Sequence, residues 1–247
     1  MRNRIVISCA GLWLLCASIL AAEPGAQFAN ANQEYAAGDF KAAIDDYEEL
    51  VRSGRDTPNL FYNLGNAYFR KNDFGRAILS YERALALDPH HPEAEANLRI
   101  ARDEARALEL VPNRWERIFA FADENQYALA ASISFWIGIF SVATWVLGWG
   151  RGGGPIALSI LSLSIFVTAV GASYELSRGK NGRGLAVVTG DKVEARLATA
   201  DNANRVLTLP AGSEIKIVSQ RGDWVYAVLP NNLRGWIPSN SAEQVRL

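Results

Sequence analysis

The sequence predicts a membrane protein of three parts: an all-α repeat solenoid, a two-helix transmembrane hairpin and a small all-β domain. Three observations support this fold class. Two stretches within residues 24–111 resemble each other at an interval of 34 residues, two almost adjacent runs between residues 127 and 174 lack charged side chains, and short apolar runs separated by turn residues fill residues 184–247. Hydrophobic periodicity is the main indicator of secondary structure, and it differs among the three parts.

The chain begins with a segment typical of a secretory signal peptide. Arg2 and Arg4 precede an apolar run that ends at Ala22. We predict that residues 1–22 are a signal peptide. An uncleaved signal anchor is the alternative, because Leu20 is large for a cleavage motif.

Residues 58–91 carry the pattern of a helical hairpin. Its constrained positions are Phe61, Leu64, Gly65, Tyr68, Ala77, Tyr81, Ala84 and Pro89. Gly65 and Ala77 are predicted where two antiparallel helices approach closely, so that larger side chains would separate them. This spacing resembles a tetratricopeptide repeat.

A second, more divergent copy of the repeat lies 34 residues earlier. The matching residues are Gly38-Asp39-Phe40 with Asn72-Asp73-Phe74, Ala43 with Ala77, and Tyr47 with Tyr81. Tyr35 is predicted to replace Tyr68 one position late. A helix after Pro92, apolar as far as Leu108, is predicted to cap the array within residues 24–111.

Two charge-free runs, at residues 127–149 and 155–174, predict the transmembrane hairpin. Each is long enough to cross a hydrocarbon core of about 30 Å at about 1.5 Å per residue. A soluble helical pair would need a polar face that these runs lack. Small residues predicted to bring the helices together are Ser134 and Gly138 on the first, with Ser164, Thr168 and Ala172 on the second.

Short β-like runs follow the hairpin, at residues 185–188, 193–197, 205–209, 214–220 and 223–229. Turn residues separate them, and a Gly-Trp pair occurs at Gly235-Trp236. Residues 184–247 resemble a bacterial SH3-like domain, which implies a small closed barrel of five or six strands.

The order of these parts resembles the BatE-type component of the bacterial aerotolerance (Bat) operon. The resemblance implies a membrane-bound scaffold that works beside von Willebrand A-domain membrane proteins and a MoxR-type ATPase. It lies in the architecture rather than in a unique motif.

The resemblance to tetratricopeptide repeats also implies a partner-binding groove for proteins or peptides. Its candidate residues are Phe28, Asn32, Tyr35, Asn59, Tyr62, Asn66, Phe69 and Arg70. The amides of Asn32 and Asn66 suit a peptide backbone, with an inter-repeat contact as the alternative. A clamp for a terminal carboxylate is predicted absent, because Phe28, Glu93 and Asn97 occupy its basic positions.

In the SH3-like domain, Trp224, Tyr226 and Trp236 are candidates for stacking on a ligand, and a structural role is the alternative. Two functions follow. The leading one is a non-enzymatic membrane scaffold with two binding modules. The other is a cell-wall-binding accessory protein whose SH3-like domain recognises peptidoglycan.

Charge and motifs predict neither a nucleic-acid-binding protein nor an enzyme. Residues 23–126 contain 19 acidic and 12 basic residues, a balance that disfavours nucleic acid. His90 and His91 are adjacent, so they are predicted to be solvated turn residues rather than a metal pair. Cys9 and Cys16 lie in the predicted signal peptide. We predict no catalytic residue, metal or cofactor.

The predicted location is the bacterial inner (cytoplasmic) membrane, with multiple spans. Two mature spans place the repeats and the SH3-like domain on one side, and the signal segment places that side outside the cytoplasm. Positive-inside counting favours the opposite orientation, because the loop between the spans carries only Arg151. Basic residues flank the other ends of the spans: Arg114 and Arg117 before the first, with Arg178, Lys180 and Arg183 after the second. We expect export by the first segment to prevail.

Overall fold

The computed structural model describes residues 24–150, 152–178, 182 and 184–246. The chain divides into two compact units, Met1–Arg99 and Ile100–Leu247, which are described in turn. The predicted signal peptide at residues 1–22, with both cysteines, lies outside the described residues, so its cleavage stays a prediction.

The first unit is a helical repeat array. Its helices are α1 (Pro24–Ala37), α2 (Phe40–Arg52), α3 (Pro58–Arg70), α4 (Phe74–Leu87) and the start of α5 (Pro92–Ala105). The first copy of the repeat is the hairpin α1–α2, and the second copy is α3–α4. Equivalent aspartates begin the second helix of each: the Asp39 carboxylate accepts from the Ala42 N–H at 3.1 Å, and Asp73 accepts from Arg76 N–H at 3.1 Å. The predicted period of 34 residues is therefore present in the backbone.

The small residue predicted at the close approach of α3 and α4 is confirmed. A Cβ added to Gly65 would lie 2.6 Å from the ring of Tyr81, which is itself buried. Ala77 on α4 is fully buried, as are the large side chains of Phe61 and Tyr81 beside it in the sequence pattern. The second copy is thus packed at the positions that the motif constrains.

The predicted capping helix ends before the last residue of the apolar pattern that predicted it. Helix α5 ends at Ala105, because Arg106 adopts a left-handed backbone with φ of 49° and the Ala107 N–H bonds back to the Arg102 carbonyl at 3.0 Å. Leu108, predicted on the helix, instead packs against the core of the β-domain in the second unit. The prediction for Leu108 was therefore wrong.

The second unit contains α6 (Arg114–Phe119) and two long helices, α7 (Glu124–Val146) and α8 (Gly153–Arg178). Both long helices are long and apolar enough to cross a membrane. Helix α7 begins three residues before the predicted Tyr127 because Asp123 and Gln126 form a capping box. The two helices pack along their lengths as an antiparallel hairpin.

The contact between α7 and α8 uses only part of the predicted set of small residues. A Cβ added to Gly138 would lie 2.9 Å from Ser162 Oγ, and Ser134 is buried. On α8, however, Ser164 and Thr168 are exposed, so their predicted place in the contact was wrong. The side chains of α8 that are buried are Ser162, Ala169 and Ala172. Many positions on an apolar helix carry small residues, so the sequence leaves the contacting face open.

The β-domain has seven strands among the described residues: β1 (Leu185–Val188), β2 (Val193–Arg196), β3 (Arg205–Leu209), β4 (Glu214–Arg221), β5 (Trp224–Val228), β6 (Arg234–Pro238) and β7 (Ala242–Gln244). They form one antiparallel sheet in the order β3-β2-β6-β5-β4-β1-β7. The end strands β3 and β7 are not paired with each other, so the predicted barrel is not closed. Strand β7 was missed because it is only three residues long.

The sheet buries one face in a single apolar cluster. Val225 and Ala227 alternate on β5 with outward-facing residues, as a half-buried strand requires. Gly235 on β6 is needed for the close approach of β2, because a Cβ there would lie 3.2 Å from both Ala195 Cβ and the Arg196 carbonyl oxygen. This contact explains the glycine of the Gly-Trp pair.

Candidate binding groove

A ladder of asparagine and tyrosine side chains joins consecutive first helices of the repeats. Asn32 Oδ1 accepts from Tyr47 Oη at 2.6 Å and from Asn63 Nδ2 at 3.0 Å. One repeat later, Asn66 Oδ1 accepts from Tyr81 Oη and from Asn97 Nδ2, each at 2.8 Å. Each asparagine carbonyl therefore accepts one bond within its own copy and one from the next helix pair. The second bond is the inter-repeat contact that was the alternative to ligand binding.

Burial extends the protonated state of the ladder tyrosines to higher pH. It raises the pKa of Tyr47 to about 12, and it also raises the pKa of Tyr81. A neutral phenol is required, because each tyrosine donates its only hydrogen to an asparagine carbonyl. The ladder is thus a set of neutral hydrogen bonds that sets the spacing of the first helices.

Aromatic contacts recur with the same period. Phe28 packs against Tyr47 with ring centroids 5.9 Å apart, and its equivalent Tyr62 packs against Tyr81 at 6.2 Å. Further along the helices, two edge-to-face pairs repeat: Tyr35 with Phe40 at 5.3 Å and Phe69 with Phe74 at 5.5 Å. Tyr35 therefore takes the place of Phe69, and the expectation that it replaces Tyr68 was wrong.

An open groove of about 480 Å³ lies on the first helices. Its lining residues are Phe28, Asn59, Tyr62, Asn63, Asp88, His91, Pro92 and Glu93. Three of the predicted binding residues, Phe28, Asn59 and Tyr62, line it. The others do not: Asn32 and Asn66 belong to the ladder, Tyr35 and Phe69 to the aromatic pairs, and the Arg70 guanidinium lies 4.5 Å from the Phe40 ring centroid.

His91 lies in a turn, as predicted, but its side chain lines the groove and is only 10 % exposed, so the prediction that it is solvated was wrong. Its ring lies 5.1 Å from the Tyr62 ring, and its Nε2 lies 3.3 Å from Asn59 Oδ1. His91 Nδ1 accepts from the Ala94 N–H at 3.3 Å, which caps the start of α5. No motif marks this role, because it depends on a residue 32 positions away.

The groove offers polar and acidic groups to a ligand. The carboxylates of Asp88 and Glu93 lie at its edge, and Glu93 is 62 % exposed. Asn63 Nδ2 donates to Asn32 Oδ1 in the ladder, and Asn63 Oδ1 makes no hydrogen bond to the part of the chain that the structure describes. Aromatic walls, a carbonyl acceptor and acidic edges suit an extended peptide that carries a basic side chain.

The β-domain presents the three predicted aromatic residues on the side of the sheet away from the core. Tyr226 on β5 is in register with Trp236 on β6, and their ring centroids are 5.0 Å apart. Trp224 lies two residues before Tyr226 on β5 and on the same side of the sheet. All three aromatic side chains are half-buried. Arg234, two residues before Trp236, is exposed on this side.

Residues 28–92 match the sequence model of the tetratricopeptide repeat family. This stretch covers most of the first copy, the whole second copy and the turn that contains His91. No curated protein matches the chain. Among the residues that the structure describes, no group of three or more His, Asp or Glu side chains is arranged to hold a metal ion.

Proposed function

We propose that this chain is a non-enzymatic, membrane-anchored scaffold that binds a protein partner in the groove of its repeats. The observation that carries the proposal is the groove lined by Asn59, Tyr62 and His91, within a stretch that matches a protein-interaction repeat. Tetratricopeptide repeats act by presenting a concave surface formed by stacked helices. The acidic edge favours a partner segment with a Lys or Arg side chain.

Photocrosslinking in cells tests the groove. A photoreactive amino acid at Asn59, which is exposed and lines the groove, should form a crosslinked adduct with a partner. The matched control is Lys41, exposed on α2 and outside the lining residues. The adduct at Asn59 should be lost when Tyr62→Ala is added. Equal adducts from both positions, or an adduct insensitive to Tyr62→Ala, would contradict the proposal.

Membrane anchoring by α7 and α8 is supported by the surface of the hairpin. Large apolar side chains such as Phe140, Leu163 and Val167 are at least 60 % exposed, which is costly in water and favourable in lipid. Trp145 and Trp149 are exposed near one end of the hairpin, as in an interfacial aromatic belt. We further propose that the membrane is the bacterial inner membrane.

Cysteine labelling tests the proposed orientation, with the repeats and the β-domain outside the cytoplasm. Single cysteines at Ser53, Gly152 and Ser219, in a chain with Cys9 and Cys16 replaced, are treated in intact cells with an impermeant maleimide. The cysteines at 53 and 219 should react while that at 152 is protected. The reverse pattern would show that the first segment does not export the repeats.

The order of the parts also supports a narrower proposal, membership of an aerotolerance complex with von Willebrand A-domain membrane proteins and a MoxR-type ATPase. The small antiparallel β-domain after the helical hairpin agrees with this order of parts. Co-purification of the full chain with such a membrane protein, and loss of that association in Tyr62→Ala, would support the assignment. Retention of the association in the variant would place the contact elsewhere.

The second candidate function is recognition of peptidoglycan by the β-domain. The outward pair Tyr226–Trp236 favours it, because aromatic faces stack on sugar rings and Arg234 is available to an acidic peptide stem. Sedimentation of the full chain with purified peptidoglycan should be lost in Trp236→Ala and kept in Val218→Ala, an exposed residue on β4. Sedimentation unaffected by Trp236→Ala would reject this role.

A further inference from the structure

Residues 111–121, which precede α7, expose four large apolar side chains. Val111, Trp115, Ile118 and Phe121 are 63, 53, 47 and 80 % exposed. We call residues 111–121 the belt segment. Contiguous exposed apolar side chains on a protein surface indicate an interaction site.

The N-terminal end of the belt segment is attached to the β-domain. The Leu110 N–H donates to Glu214 Oε2 at 2.8 Å, and the Glu214 N–H donates to the Leu108 carbonyl at 2.9 Å. The Glu214 carboxylate is fully buried and also accepts a hydrogen bond from Arg102. Breaking this contact would leave a buried carboxylate without partners, so the end of the segment is firmly held.

The C-terminal end of the belt segment is attached to α7. Tyr127 Oη donates to the Phe119 carbonyl at 3.2 Å. The rings of Phe119 and Phe121 pack edge-to-face on Tyr127, at centroid distances of 6.0 and 5.5 Å. The exposed side chains between these two attachments are therefore held next to the start of a predicted membrane span.

Helix α6, inside the belt segment, has two different faces. Glu116 is buried and accepts from Asn113 Nδ2 at 2.7 Å, and Phe119, half-buried, stacks on Trp115. The rest of the helix is exposed and mixes basic with apolar side chains: Arg114, Trp115, Arg117 and Ile118. Such a mixture is typical of segments that lie at the surface of an anionic membrane.

We propose that the belt segment lies in the headgroup region of the leaflet where α7 begins. Its apolar side chains enter the boundary with the acyl chains, and Arg114 and Arg117 contact the phosphates of anionic lipids. The inference rests on the proposed membrane insertion of α7 and α8. Two observations select lipid as the occupant: Phe121 is three residues from the start of α7 at Glu124, and the exposed charges of α6 are basic.

Spin labels on the full chain in lipid vesicles test this placement. Single cysteines are introduced by Ile118→Cys and Phe121→Cys, with Ile137→Cys near the middle of α7 and Val218→Cys on β4 as controls, in a chain lacking Cys9 and Cys16. Collisions with oxygen, which partitions into lipid, and with a water-soluble nickel chelate are measured by electron paramagnetic resonance. The labels at 118 and 121 should collide with nickel severalfold less than that at 218, and with oxygen less than that at 137.

The controls separate the two levels of the proposal. Strong nickel collisions at 137 would show that α7 does not span the membrane, and the proposed function would fail with the inference. Protection at 137 with full nickel access at 118 and 121 would overturn the inference alone. Protection of 118 and 121 from both reagents would also overturn it, because protein rather than lipid would then cover the segment.

A charge variant tests the lipid chemistry. Arg114→Gln with Arg117→Gln should increase nickel access at 121 severalfold in vesicles that contain phosphatidylglycerol, while Arg114→Lys with Arg117→Lys should not. In vesicles of phosphatidylcholine alone, both variants should match the parent. Equal behaviour of the Gln and Lys variants in the anionic vesicles would show that anionic lipid is not bound by these side chains.

Discussion

The two copies of the repeat differ in the small residue at the contact between their two helices, and they make the same polar contacts. In the second copy, Gly65 lies against the ring of Tyr81, whereas the equivalent residue of the first copy is Ala31. Both copies nevertheless place an Asn carbonyl between a Tyr hydroxyl and the Asn amide of the next first helix. Both also repeat the same two aromatic pairs.

The comparison shows which contacts tolerate sequence divergence in this array. Removing the acceptor of a buried hydrogen bond leaves donors without partners, and that costs about 1–3 kcal/mol. Exchanging Gly for Ala at the helix contact costs less stability where the neighbouring tyrosine ring can shift. The polar ladder is accordingly the same in both copies, while the apolar approach is not.

The largest effect is expected from Gly65→Leu. The added side chain would overlap the buried ring of Tyr81, so the second copy should lose about 3 kcal/mol of stability. Amide hydrogen exchange in α3 and α4 of the full chain measures the loss. Gly25→Leu is the control, because a Cβ there meets no atom within 4 Å. Unchanged exchange in α3 would contradict the close approach.

The next effect concerns the ladder. Asn32→Ala and Asn66→Ala each remove an acceptor that serves two donors, so each should cost about 2 kcal/mol. The two losses should be similar, because the geometry is the same in both copies. Gln33→Ala, an exposed change on α1, is the control for hydrogen exchange. A loss in only one copy would show that the ladder is not equivalent.

A third effect appears only at alkaline pH. Burial raises the pKa of Tyr47 from 10.0 to about 12 and raises those of Tyr68 and Tyr81 as well. A raised pKa in the fold means that the stability due to Tyr47 is complete below pH 10 and is lost as the pH rises through about 12.

Phenolate absorbance and circular dichroism, recorded together from pH 9 upward, measure this effect. Ionisation of the ladder tyrosines should coincide with loss of helix in the repeats. Tyr47→Phe should remove one phenolate from that coincident step. Ionisation of all tyrosines well before any loss of helix would mean that the phenols are not buried.

The smallest effect is expected from Arg70→Ala. Its guanidinium lies over the Phe40 ring of the first copy, and a cation–π contact at an exposed site is worth about 0.5–1 kcal/mol. The equivalent residue of the first copy is Ala36, which has no guanidinium and cannot make the same contact. Lys71→Ala, at the neighbouring exposed residue, should change hydrogen exchange in α2 less. Equal changes in hydrogen exchange for the two variants would show that the contact between Arg70 and the Phe40 ring does not stabilise α2.

Elements with a strong local pattern were predicted closely. Strands β1 and β3 have the predicted bounds, residues 185–188 and 205–209. The two long apolar helices, α7 and α8, begin and end within four residues of the predicted limits. The predicted groove was only partly right: Phe28, Asn59 and Tyr62 line it, while Tyr35, Phe69 and Arg70 make contacts within the array. Aromatic and basic side chains at this spacing either line a groove or pack within the array, and the spacing does not distinguish the two roles.

The sequence alone determined the period of the repeats, the apolar hairpin and the alternation of the strands, because each of these depends on residues a few positions apart. Only the tertiary structure decided that His91 lines the groove, that Leu108 packs on the core of the β-domain instead of continuing α5, and that the sheet is not closed into a barrel. Each of those outcomes depends on contacts between residues far apart in the sequence, whose shapes must fit and whose buried polar groups need hydrogen-bond partners. Local periodicity does not indicate which of these residues come into contact.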